Sequence, residues 1–108
     1  MASLATIEKL AHKLMADNAA GIDLLAKGWA YEPYDRKRSI GSCFYERKVI
    51  SVSSYFAPFL DHADVLNVLK HEIAHAIVGA EHGHGPSWIR IATLLGAEPS
   101  STMRLRIN

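Results

Sequence analysis

A chain of 108 residues with twelve basic and eleven acidic side chains is long enough for one domain, here taken as residues 1–108, and too short for two. With 49% hydrophobic and 21% charged residues it is globular rather than disordered, and a net charge of +1 excludes the strongly basic character of a dedicated nucleic-acid binder. The single Cys43 excludes an intrachain disulfide and a cysteine-only zinc site, and no run reaches the roughly 18 apolar residues of a membrane span.

In chain order, the first predicted element is an amphipathic helix over residues 4–16. Leu4, Ile7, Leu10, Ala11 and Leu14 recur at spacings of three and four, with Ser3 and Thr6 at its start. Ile22 to Leu25 continues the helix after a break, and Gly28 closes the region. Three strands come next, at 29–34, 39–45 and 48–52, joined by connections short enough for an antiparallel meander. In the third, Ile50 and Val52 face one side while Val49 and Ser51 face the other.

Pro58 interrupts the chain, and Asp61 with Asp64 opens the strongest helix as cap and first-turn acid. Val65, Leu66, Leu69, Ile73, Ala76 and Ile77 form its apolar stripe, and Gly79 ends it. After the loop from Ala80 to His84, Pro86 starts a last helix with Trp88, Ile91, Ala92 and Leu95 on one face, stopped by Gly96 and Pro99. The expected class is therefore α+β, a three-stranded antiparallel sheet packed with an N-terminal, a central and a C-terminal helix. A core this small, with about 65% of the unfolded surface buried, would gain stability from a bound metal.

The central helix carries His71-Glu72-Ile73-Ala74-His75. Histidines four residues apart lie about 6 Å along the axis and nearly on one face, since four residues turn a helix by about 400°. Their imidazoles can share one Zn²⁺ at about 2.0–2.1 Å, while Glu72, displaced around the axis, can take a proton from a water the metal carries. Catalytic zinc usually needs a third protein ligand. His82, His84, Glu81 and Glu98 are the candidates. His84 is favoured, because Gly83 and Gly85 let the backbone fold back over the helix and Pro86 anchors the last helix directly after it.

The His-Glu-x-x-His segment, together with His84-Gly85-Pro86-Ser87-Trp88, resembles the SprT-like zinc metallopeptidases, relatives of the Spartan protease. Gly28-Trp29, Asp35 with the basic residues after it, Ile40-Gly41-Ser42-Cys43 and Val49 to Ser53 are similar to that family's strand region, and Ile89-Arg90, Leu94-Leu95-Gly96 and Pro99 continue the likeness. It spans residues 28–99. The resemblance implies a minimal zincin-like domain with one zinc per chain on His71, His75 and His84, Glu72 as catalytic base, and Trp88 supporting the site by packing. Metzincins, which also use three histidines, place glycine three and histidine six residues after the second histidine. Here Gly79 and His82 stand four and seven after His75.

The expected function is a zinc-dependent endopeptidase acting on protein or peptide substrates, with a metal-holding interaction module as the alternative. Tyr55, Tyr31 or an arginine is expected to steady the oxyanion. The family acts on proteins crosslinked to DNA, but the clusters Arg36-Lys37-Arg38 and Arg47-Lys48, with Arg104 and Arg106, support only weak DNA association. The lone thiol and the absence of a basic, apolar leader after Met1 point to the cytoplasm and away from membranes.

Overall fold

The structure is a computed structural model and describes residues 3–97. Helix α1 runs Leu4–Ala16, and the Ser3 hydroxyl accepts from the Thr6 amide at 3.1 Å as its cap. Its buried face is Ile7, Ala11 and Met15, so the stripe is rotated from the expected one. Leu10 and Leu14 are half-buried and Leu4 is exposed. The expected helical continuation at 22–25 is instead a turn. The Asn18 side-chain Nδ2 donates to the carbonyls of Leu14 and Ile22 at 2.9 and 2.8 Å, and the Leu24 backbone amide donates back to Met15 at 2.8 Å. Those bonds fold the chain sharply and bury Leu24 under α1.

The strands are β1 (Ala30–Tyr31), β2 (Gly41–Phe44) and β3 (Val49–Val52), in the order β1-β3-β2. β2 runs antiparallel to β3 as expected, with Gly41 opposite Val52 and Cys43 opposite Ile50. β1, however, pairs parallel with β3, so the sheet is mixed and not an antiparallel meander. The reason lies in residues 32–40. They leave β1 on one side of β3, meet Ser53 through a bridge at Tyr34, and reach β2 on the other side, where the Ser53 amide donates to Ile40 at 2.7 Å. The Ser53 hydroxyl accepts from the Arg36 amide at 3.1 Å, which pins the crossing segment over the end of β3. Ser53 alternates with Val52, so this crossing lies on the sheet face away from Gly41 and Val52. Both faces of β3 are thereby covered, and all four of its residues are buried.

A single helical turn at Ala57–Phe59 carries Pro58 into α2, His62–Val78. Asp61 and Asp64 form a reciprocal cap: the Asp64 amide donates to Asp61 Oδ1 at 2.8 Å, and the Asp61 amide to Asp64 Oδ2 at 3.3 Å. α2 packs against β2 and β3 on one side and against α1 and α3 (Pro86–Leu95) on others. It is consequently buried around its whole girth from His71 to His75. Val68 and Ala74 join the core, while Leu66, Ala76 and Ile77 are only half-buried. Trp88, Ala92 and Leu95 bury the inner face of α3, and Gly96 ends it with φ of 87°. Among the described residues no helix is long and apolar enough to cross a membrane. Glu98, Pro99, Arg104 and Arg106 lie outside the described residues.

Candidate metal centre

His71 and His75 sit one turn apart on the inner side of α2, with only 1% and 6% of their surface exposed. His84 approaches from the loop between α2 and α3. Gly79 leaves α2 with φ of 96°, Ala80–His82 makes one tight turn, and Gly83 has φ of 51° with ψ of −130°. A residue with a Cβ rarely adopts that conformation, so the glycines are what reverse the chain over the helix. At Gly85 a Cβ would stand 3.0 Å from the His82 carbonyl, whose oxygen accepts from the Gly85 amide at 2.9 Å.

The outcome is a triangle of imidazole nitrogens. His84 Nε2 lies 3.0 Å from His75 Nε2 and 3.2 Å from His71 Nε2. Of the described residues, these three form the cluster able to hold one metal ion; His82 and Glu81 are exposed and stand outside it. Three ligands around a tetrahedral Zn²⁺ would be about 3.3 Å apart at bond lengths of about 2.05 Å, so the observed spacing fits a metal. A trio of neutral imidazoles could satisfy only some of these close contacts by sharing protons. Burial, and next the neighbouring His84, push the His75 pKa down to about 4. His75 is therefore neutral at pH 7 with a lone pair to offer.

Trp88 is the floor of this triangle. It is fully buried in the first turn of α3, and its ring centroid lies 4.6 Å from His71, 5.3 Å from His75 and 4.8 Å from His84. Its indole N–H donates to the His71 carbonyl at 3.2 Å, tying α3 to the helix that carries two of the histidines.

Glu72 points elsewhere, toward β2. It is 1% exposed, and neither carboxylate oxygen has a hydrogen-bond partner among the described residues. Burial alone drives its pKa well above the usual carboxylate range. The site therefore combines three convergent nitrogen donors with an adjacent buried carboxyl of high proton affinity.

The SprT-like family model matches residues 9–106. This chain belongs to the SprT-like family. No curated protein matches it, and no solved structure does. The SprT-like match extends beyond the 28–99 likeness to include most of α1.

Two residues of this SprT-like chain that sequence reasoning did not assign to the site stand beside Glu72. Cys43 of β2 has its thiol pushed up to about 12 by burial and then by Glu72. The Tyr45 phenol, also pushed up to about 12, responds to burial, to Cys43 and to Glu72. The available signal is period two: Gly41 and Cys43 alternate along β2, and Tyr45 follows two residues later in the turn beyond it. The tyrosines singled out from sequence go elsewhere. Tyr31 is buried with its phenol pushed up to about 12 by burial, and its charged neighbour is Glu8 of α1. Tyr55 is 45% exposed, edge-on to Phe56 with Lys37 over its ring.

Proposed function

We propose that this chain is a zinc-dependent endopeptidase, with His71, His75 and His84 as the metal ligands and Glu72 as the general base. The observation that carries the proposal is the pairing of three convergent Nε2 donors with a buried carboxyl next to one of them in sequence. A site that only held a metal for stability would not need that carboxyl, since burying it without a partner costs free energy. Three nitrogen donors suit Zn²⁺, which when bound would polarise a peptide carbonyl and acidify water.

The protein's own residues then have distinct tasks. His71 and His75 are held rigid by α2 and by the Trp88 ring, so their donors need no reorganisation. Glu72 accepts the proton of the attacking water at a carboxylate oxygen and passes it to the leaving amine. Its raised proton affinity suits both halves of that relay. β2 has β3 on one side only within the three-stranded sheet, and an extended protein or peptide substrate would add along its other edge. In this reading, contact with DNA is weak and salt-sensitive, through the exposed Arg36, Lys37 and Arg38 of the crossing segment.

The test is Glu72→Gln, which keeps size and removes the proton acceptor. The variant should keep its fold and its zinc, while cleavage of an unfolded protein falls by about 10²-fold or more, the usual worth of a general base. Assays at matched zinc occupancy, with and without single-stranded DNA, would read this. Equal cleavage by both proteins would refute the assignment of Glu72. Zinc binding without cleavage by either would favour the interaction module instead.

A further inference from the structure

We infer that Gly41 is a positioning residue for Glu72: the missing side chain at the start of β2 is the space in which the Glu72 carboxylate is held. Its kinetic consequence rests on the endopeptidase reading above, but the placement does not.

Gly41 is buried, and it is not among the glycines with positive φ, so its backbone conformation does not call for glycine. What calls for it is space. A Cβ built there would stand 2.5 Å from Val68 Cγ1, 2.9 Å from Glu72 Oε2 and 3.1 Å from Glu72 Cγ. The carboxylate thus lies directly against the backbone of the strand. Gly41 cannot back away easily, because it pairs with Val52 and its neighbour Ile40 accepts from the Ser53 amide at 2.7 Å. α2 cannot retreat either, since Leu69 and Ile73 are locked in the core. The part free to move is the Glu72 side chain.

Glu72 is also unusual in what holds it. With no hydrogen-bond partner among the described residues for either oxygen, its carboxylate is oriented by packing alone. A methyl group at position 41 therefore changes a packing contact that sets its position. A conventional core glycine would differ, because its replacement costs stability without singling out one functional group.

The test separates these roles with Gly41→Ala, Val68→Ala and the double variant. Val68→Ala removes the most severe clash, so the double variant should fold and bind zinc like wild type, yet it still carries the methyl against Glu72. One readout needs no activity: the ¹³C side-chain carboxyl resonance of Glu72 at fixed pH, identified as the peak that Glu72→Gln deletes. It should move in the double variant and stay in place in Val68→Ala. The second readout is kinetic. The kcat of the double variant should fall by about 10²-fold at little changed KM, the scale expected for displacing a reacting group by about 1 Å. If the double variant keeps the wild-type Glu72 resonance, or the wild-type kcat, Gly41 is only a packing residue and the inference fails. If the resonance moves while even the wild type cleaves nothing, the positioning stands and the endopeptidase reading falls.

Discussion

Replacing Trp88 with Phe should weaken zinc binding beyond what it does to folding. Phe keeps an aromatic ring in the fully buried site but removes the indole N–H that donates to the His71 carbonyl at 3.2 Å, together with part of the surface under the histidines. The lost hydrogen bond is worth about 1 kcal/mol. The smaller ring adds about 1–2 kcal/mol, less than the roughly 3–5 kcal/mol of a Trp→Ala truncation. A total of about 2–3 kcal/mol leaves a domain of ordinary stability, about 5–15 kcal/mol, folded. The ring also backs all three donors at centroid distances of 4.6, 5.3 and 4.8 Å, so tilting it tilts them. Loss of such a supporting group typically costs about 10- to 100-fold in metal affinity. At fixed free zinc, a tenfold loss lowers the stabilisation that zinc confers by about 1.4 kcal/mol. Denaturant melts with and without zinc, combined with chelator competition, give both numbers. If metal-free stability drops while the zinc-dependent increment is unchanged, Trp88 is an ordinary core residue and the reasoning is refuted.

His84→Ala should reduce zinc affinity far more than His82→Ala, because only the former lies in the nitrogen triangle; chelator competition showing the reverse order would move the third donor to His82. Tyr31 supplies a pH dependence, since its phenol is held at about 12 against an ordinary value of 10.0. The fold favours the neutral phenol, so this contribution is fully present below the unfolded pKa of about 10 and is lost as pH rises toward 12. Tyr31→Phe should flatten the alkaline fall in Tm across that window, though only partly, because Cys43 and Tyr45 titrate there too. An unchanged alkaline slope would show that Tyr31 ionises as freely in the fold as out of it.

The helices were legible because their determinants are local. Ser3, Asp61 with Asp64, Gly79, Pro86 and Gly96 each act within a turn or so, and the structure uses each at a helix end. Strand pairing is different in kind. Ala30 and Tyr31 pair with Val49 and Ile50, almost twenty positions away, and nothing local distinguishes that partner from β2. Short connections suggested a meander, but residues 32–40 are long enough to cross β3, and the Ser53 hydroxyl rewards the crossing by bonding Arg36. The turn after α1 is hidden from the sequence for a related reason. Ile22 to Leu25 has an apolar pattern that suits a helix, and the Asn18 side chain competes for the same backbone groups.

The same distinction divides the site. His71, His75 and Glu72 belong to one helix, where spacing alone fixes which side chains converge, and Gly79, Gly83 and Gly85 mark a place nearby where the chain can turn back. That half comes from helical geometry. The other half is made across the interface between α2 and β2, where Gly41 opposes Glu72, with Cys43 further along the strand and Tyr45 in the turn that follows it. Its members depend on strand register: a shift of β2 by one residue would put Ser42 against Glu72 in place of Gly41. Sequence could identify a carboxyl suited to act as base. Only the fold reveals that a strand without a side chain at that point leaves that carboxyl room.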